Sequence, residues 1–164
     1  MFKKIGMIAL ASTLAAGCAS VPMESLERTT TAKKFNPPAE GNSGLYIYRN
    51  SFGGAFHYRD VRVNEQCIGS TAPYVFFYEE VEGDKTHKVS SGDSTTFGDQ
   101  ICRNCLLIKV KSGMHYFIKQ NMSFWDVGVE LVDEEQGKEE VSKLDMATKG
   151  TCGRRKPPFT DFYP

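Results

Sequence analysis

Short runs of aromatic and β-branched residues, each ended by a turn-forming residue, begin at residue 44 and constrain the fold more than any other feature. Such runs predict β-strands joined by tight turns. The clearest are residues 44–49, residues 61–63 with a turn at 64–66 into 67–69, and residues 74–78. The last run is apolar on both faces, so we expect it to be a central strand.

The second half of the chain continues this pattern. Residues 106–111 alternate, reach Ser112-Gly113 and are followed by a second run at 114–118, which predicts a β-hairpin. A further strand is predicted within 125–132, and residues 138–147 have the spacing of one short helix. We therefore predict a mostly β fold, a single antiparallel β-sandwich-like domain with one short C-terminal helix.

The first 17 residues have the composition of an export signal. Lys3 and Lys4 precede an apolar run at 5–11, and small residues then lead to Cys18. This is the order found in signal peptides. The run is shorter than the roughly 20 residues that a membrane-spanning helix needs, so we expect export without insertion.

The residues before Cys18 resemble the bacterial lipobox. In that motif the cysteine is diacylated through its thiol and the peptide before it is removed. Leucine usually lies three residues before the cysteine, whereas here Leu14 lies four before it and Ala15 takes the usual place. The alternative is an ordinary secretory signal cleaved near Ala16. The resemblance implies lipid on Cys18. In such lipoproteins an aspartate directly after the cysteine tends to retain the protein at the inner membrane. Ala19 occupies that position here, which favours the outer membrane, on its periplasmic side.

Four segments follow from these features. Residues 1–17 are the predicted signal peptide, and residues 18–40 a lipidated N terminus with a flexible linker, because this stretch is polar and has no periodicity. Residues 41–150 form the predicted β-sandwich-like domain. Residues 151–164 are a C-terminal tail whose cationic, proline-broken and aromatic composition is typical of a recognition segment or of a loose chain end.

Four cysteines remain after Cys18, and an even number in an oxidising compartment favours disulfides. Three pairings are possible, and the sequence does not choose among them. If residues 102–105 were extended, their end Cα atoms would lie about 10 Å apart, so these two cysteines can pair with each other only through a turn. The candidate disulfide cysteines are Cys67, Cys102, Cys105 and Cys152.

The C-x-x-C spacing of Cys102 and Cys105 also occurs in thiol oxidoreductases and zinc sites. A strand pattern follows it here, however, where a redox motif has a helix, and the histidines His57, His87 and His115 are scattered. Motifs of hydrolases and phosphate-binding loops are absent from the sequence. We predict no catalytic residue, metal or cofactor, and keep a periplasmic thiol-redox or zinc-binding protein as the alternative.

Aromatic residues are concentrated in the first half of the predicted domain. We expect most of them in the core, whereas several facing outward together would form a patch suited to a protein or glycan partner. They are Tyr46, Tyr48, Phe52, Phe56, Tyr58, Tyr74, Phe76, Phe77 and Tyr78.

The order of these elements resembles bacterial lipoproteins that share domain of unknown function 2846. The resemblance is carried by Gly-Leu-Tyr-Ile-Tyr-Arg at 44–49, Val-Arg-Val-Asn-Glu-Gln-Cys-Ile-Gly at 61–69, Tyr-Val-Phe-Phe at 74–77 and Val-Lys-Ser-Gly-Met-His-Tyr-Phe-Ile at 110–118. It spans roughly residues 38–144 and leaves the 102–105 insertion and the tail unmatched. It implies a small, mostly β, exported and lipid-anchored protein, with no activity and no functional residue to transfer.

Charge narrows the choice of partners. The chain has 20 basic and 20 acidic residues, and loss of Lys3 and Lys4 with the signal peptide leaves a net charge of −2. Near-neutrality argues against a nucleic-acid partner. We predict a non-enzymatic binding or structural module of the cell envelope, tied to the membrane through Cys18, with an envelope protein as its partner and no small-molecule substrate.

Overall fold

The computed structural model describes residues 21–53, 59–92, 104–122, 127–150 and 152–153. These residues form mainly β-strands, with one short helix before the first strand and another after the eighth. In chain order the elements are α1 (Leu26–Ala32), β1 (Asn42–Arg49), β2 (Arg59–Val63), β3 (Gln66–Thr71), β4 (Val75–Glu82), β5 (Thr86–Ser91), β6 (Cys105–Lys109), β7 (His115–Met122), β8 (Val127–Val132), α2 (Glu134–Ser142) and β9 (Asp145–Met146).

The strands form two sheets, one of five strands in the order β8-β7-β1-β4-β9 and one of four in the order β3-β2-β5-β6. A cluster of buried aliphatic residues, among them Leu45, Ile47, Val61 and Val89, fills the space between them. The predicted mostly β, sandwich-like fold with a short C-terminal helix is confirmed.

The five-stranded sheet is buried on both faces, which explains the apolar character of its central strands. Its outer face carries a second cluster, in which Tyr46, Tyr48, Phe76 and Phe117 pack with residues of α2 and its C-terminal flank. Every residue of β1 from Ser43 to Arg49 is buried. The predicted central position of the strand that begins near residue 74 is also confirmed, because β4 lies between β1 and β9.

The strand directions differ in part from the prediction. The four-stranded sheet is antiparallel throughout. In the five-stranded sheet, β1 pairs with β7 in parallel and β4 pairs with β9 in parallel, so this sheet is mixed. Parallel neighbours need a long connection, and here all four strands of the other sheet lie between β1 and β7 in the chain.

Of the two predicted hairpins, one is confirmed and one is wrong. Strands β2 and β3 pair through a turn in which Asn64 and Glu65 both have positive φ, as tight hairpin turns require. Strands β6 and β7 do not pair. The turn at Ser112 and Gly113 carries the chain from one sheet to the other, and the backbone N–H of Gly113 donates to the carbonyl of Asn42 at 2.7 Å.

The prediction of a linker without secondary structure over residues 18–40 is wrong for the part that the structure describes. Val21 is buried, Met23 forms a β-bridge with Ala147, and α1 follows directly. The side chain of Ser25 accepts a hydrogen bond from the backbone N–H of Arg28 and caps the helix. Residues 18–20 lie outside the described part of the chain.

The second helix lies four residues earlier than predicted at its start and ends at Ser142. Its N-cap is Asp133, whose side chain accepts from the N–H of Gln136, and Glu134 and Glu135 occupy the first turn. Acidic side chains are favourable there because of the helix dipole. Neither helix of the described ranges is long and apolar enough to cross a membrane.

Candidate functional site

A cleft lies between α1 and the outer face of the five-stranded sheet and has a volume of about 340 Å³. Its walls combine apolar surface with carboxylates, phenolic hydroxyls and a guanidinium group. This volume and mixture fit the range of small-ligand sites. Residues that give the cleft its chemistry are Glu27, Arg28, Asn36, Tyr46, Tyr78 and Glu80.

Glu80 is the best-connected carboxylate of the cleft. One of its oxygens accepts from the backbone N–H of Ala39 at 3.2 Å and from the side-chain amide of Asn42 at 3.1 Å. The other accepts from the hydroxyl of Tyr78 at 3.0 Å. Glu80 therefore connects the segment after α1 to strands β1 and β4.

The hydrogen bonds also set the charge of these groups. Burial by itself raises the pKa of Glu80, but the hydrogen bonds from Asn42, Ala39 and Tyr78 more than offset it, so the pKa lies below its usual value. Burial raises the pKa of Tyr46, and the charge of Glu80 raises it further. Burial and the hydrogen bond to Glu80 likewise raise the pKa of Tyr78. At neutral pH the cleft thus presents a fixed anion beside neutral hydroxyls.

Aromatic packing supports the floor of the cleft. The ring of Tyr46 stacks on Phe117 with centroids 5.0 Å apart and meets the edge of Phe35 at 5.2 Å. The hydroxyl of Tyr46 donates to the carbonyl of Ala32 at 2.8 Å, which fixes the end of α1 against the sheet. The position of the helix, and with it the cleft wall, is therefore determined by the core.

The predicted aromatic set divides between core and surface. Tyr46, Tyr48, Phe76 and Phe77 are buried and Tyr78 is partly buried, as expected for most of the set. Phe52 and Tyr74 are exposed, and both lie at the end of the sheet where β1 ends and β4 begins. Phe56 and Tyr58 lie outside the described residues.

The structure joins Cys67 and Cys152 in a disulfide with a Cα–Cα distance of 5.7 Å. The bond connects β3 to the chain beyond β9, across 85 residues of sequence. Cys105 is also disulfide-bonded, and the neighbouring Asn104 adopts positive φ. Cys102 and the lipidation candidate Cys18 lie outside the described residues.

Both described histidines form hydrogen bonds through ring nitrogens to other parts of the domain. His87 accepts at Nδ1 from the side-chain amide of Asn64 at 2.8 Å, and its Nε2 lies 2.7 Å from the carbonyl of Glu82, which only accepts. His115 Nε2 lies 3.0 Å from the carbonyl of Asn36. His57 lies outside the described residues. Within the part of the chain that the structure describes, no three His, Cys, Asp or Glu side chains form a metal-binding group.

Sequence reasoning missed the cleft because it missed α1. The signal was weak but present: Ser25 is a favoured N-cap residue, and Glu24 and Arg28 have the i,i+4 spacing of a helical ion pair, which the structure contains at 3.2 Å. No sequence feature singles out Glu80, since a glutamate near the end of a strand is usually solvated.

Comparison with known proteins identifies relatives without a described activity. Residues 39–132 match the family described as "Protein of unknown function (DUF2846)". An uncharacterized protein of Haemophilus influenzae is 42% identical over 151 residues, which cover 90% of this chain and 85% of that protein. No solved structure matches.

Proposed function

This chain belongs to the DUF2846 family of proteins of unknown function, and we propose that it is an outer-membrane lipoprotein whose β-rich domain acts in the periplasm as a non-enzymatic binding module of the cell envelope. The observation that carries the proposal is Cys18, which follows a short apolar run and the small residues Ala15, Ala16 and Gly17. Two or three acyl chains would hold the protein on the membrane firmly, whereas one would bind only marginally.

The disulfide between Cys67 and Cys152 supports an exported location. Disulfides persist in oxidising compartments such as the periplasm and are rare in the cytosol. This bond links β3 to the segment that follows β9.

The α1 cleft supports a binding role for the domain. General acid–base catalysis at neutral pH needs a group with a pKa near 7. The pKa values of Glu80, Tyr46 and Tyr78 are all displaced away from neutrality. A constant anion beside two hydroxyls suits a partner that brings hydrogen-bond donors, such as a lysine or arginine side chain on an envelope protein.

The anchor is tested by mass spectrometry of the protein extracted from bacterial membranes. We expect a mature chain that starts at Cys18 and carries acyl groups, and a Cys18→Ser variant that lacks them and leaves the membrane fraction. Recovery of Met1 to Gly17 still joined to an unmodified Cys18, in cells with a working export pathway, would refute the proposal.

The binding role is tested by site-specific photo-crosslinking in intact cells. A photoreactive residue at the exposed Asn36, on the rim of the cleft, should give a discrete cross-linked protein. The same residue at the exposed Lys109, on β6 of the other sheet, is the matched control and should not. Identical products from both positions, or none from Asn36, would contradict binding at the cleft.

A further inference from the structure

The described domain starts almost at the proposed lipid attachment point. Only Ala19 and Ser20 separate Cys18 from Val21, whose surface is 5% exposed. Three Cα–Cα steps span at most about 11 Å, and the headgroup region of one leaflet is about 5–8 Å thick. A lipid on Cys18 therefore holds the domain against the headgroups. This step rests on the proposed function.

Hydrogen bonds identify the part of the domain that is held there. Val21 is followed by Pro22, whose carbonyl accepts from the N–H of Thr148 at 2.8 Å. Two residues later, the N–H of Gly150 donates to the carbonyl of Ile68 in β3 at 2.9 Å. The disulfide between Cys152 and Cys67 completes the connection. These contacts join the β9 edge of one sheet to the β3 edge of the other, and we call this the β9/β3 edge.

Two exposed apolar side chains lie beside this edge, where α1 contacts β9. Leu26, the first residue of α1, is 80% exposed, and Met23 is 41% exposed next to its bridge with Ala147. An exposed leucine is unremarkable alone, but these two lie within five residues of Val21. Apolar side chains at this depth suit the boundary between headgroups and acyl chains.

The sequence that follows this edge is basic. The disulfide places Cys152 and Gly153 beside β3, and the sequence continues with Arg154, Arg155 and Lys156. Basic residues close to a membrane are attracted to anionic headgroups. Val21, three residues after Cys18, and Gly153, directly before the basic triplet, therefore lie at the same edge.

We infer that the β9/β3 edge is a membrane-contacting surface, with Leu26 at the phospholipid interface and the β6 edge of the four-stranded sheet directed away from it. Strand β6 lies three strand spacings from β3, about 14 Å at about 4.8 Å each. Leu107 on β6 is 67% exposed and serves as a matched reference for Leu26.

The inference is tested on vesicles that contain brominated phospholipid, which quenches tryptophan at the interface. The mature chain, Cys18 to Pro164, is purified under oxidising conditions and coupled through the Cys18 thiol to a maleimide-bearing lipid. Leu26→Trp and Leu107→Trp variants are compared with the wild type, in which Trp125 gives the shared background. We expect the tryptophan at position 26 to lose about half of its fluorescence, and that at position 107 to be nearly unaffected, because interfacial side chains enter only about 5–10 Å.

Equal quenching at the two positions, or no quenching at position 26, would overturn the inference. The coupling is chemical, so the result does not depend on whether cells acylate Cys18. Unmodified Cys18 in cells would refute the proposed function, while the vesicle experiment would still decide which edge meets a bilayer tied to that residue. The two failures are therefore distinguishable.

Discussion

Replacement of Gly137 by alanine tests the packing of α2 on the sheet. Gly137 is buried in the middle of the helix. On helix propensity alone, alanine would stabilise this position by about 1 kcal/mol. The structure predicts the opposite sign, because a Cβ at residue 137 would lie 2.6 Å from Cδ1 of Phe117 and closer still to its Cβ and Cγ.

The size of the effect follows from what must move. Phe117 is 1% exposed and stacks on Tyr46, so its near side-chain atoms have no free space to retreat into. Relief of the overlap requires α2 to shift outward by about 1 Å, and overpacking of this kind costs about 1–3 kcal/mol. Because the overlap is large, we take the overpacking cost at the upper end of that range, about 3 kcal/mol. The gain in helix propensity is about 1 kcal/mol. We therefore expect Gly137→Ala to lower the free energy of unfolding by about 2 kcal/mol.

The assay is thermal and urea unfolding of the non-lipidated mature chain, followed by circular dichroism. For a domain of this size the midpoint should fall by about 4–8 °C. Gly128→Ala in β8 is the control, because a Cβ there meets no atom within 4 Å, and its midpoint should be unchanged or slightly raised. A Gly137→Ala midpoint equal to or above that of the wild type would refute the packing argument.

Three further predictions concern the disulfides and the cleft. Combined serine replacement of Cys67 and Cys152 should lower the free energy of unfolding by about 2–4 kcal/mol, measured by urea unfolding, because the bond closes a long loop; no change would mean that the staple is redundant. The lowered pKa of Glu80 gives stabilisation that is complete above its usual value of 4.5 and is lost as pH falls through the lower folded pKa, so unfolding midpoints should drop in acid. A Glu80→Gln variant should show a shallower drop, and an identical pH profile would contradict the assigned role. Thiol titration and metal analysis of the non-lipidated chain should find Cys102 and Cys105 oxidised together and no zinc, whereas a reactive dithiol or bound zinc would favour the alternative function.

Local patterns were sufficient for strands that pair with their sequence neighbours. The run at 61–69 contains residues of both strands of a hairpin and the polar residues of its turn. These nine residues are therefore enough to predict that β2 pairs with β3. The strand at β4 was recognisable as central because both of its faces are apolar. In each case the feature that decides the position of the strand lies within one short segment of sequence.

The predicted pairing of β6 with β7 was wrong because the interactions that decide it lie outside the segment. Ser112 and Gly113 have ordinary turn chemistry, and nothing local distinguishes a hairpin from a crossing between sheets. The difference lies in burial: Phe117 and Ile118 are adjacent in β7 and both buried, so this strand needs cover on both faces. The five-stranded sheet provides this cover, because Ile118 packs between the two sheets and Phe117 packs on the outer face against α2 and its C-terminal flank. A single turn carries no information about these layers.

The first helix could not be predicted from propensity because Thr29, Thr30 and Thr31 are poor helix formers. Its stability comes from tertiary contacts, chiefly the packing of Ala32 and Phe35 on the sheet and the hydrogen bond from Tyr46. A helix this short is stable only when it packs against another surface of the protein. The cleft, which exists only because α1 lies on that surface, was therefore beyond local reasoning.

The proposed anchor and the cleft together restrict the geometry of any partner. Helix α1 begins at Leu26, beside the β9/β3 edge, and two residues of its first turns, Glu27 and Arg28, line the cleft. If that edge rests on phospholipid, the cleft lies within about one helix length, roughly 10 Å, of the headgroups. A partner that reaches Glu80 must then approach close to the membrane surface, so the photo-crosslinked protein from Asn36 should itself be membrane-associated. Its recovery in the membrane fraction after alkaline washing would agree with this geometry, and a freely soluble cross-linked partner would argue against it.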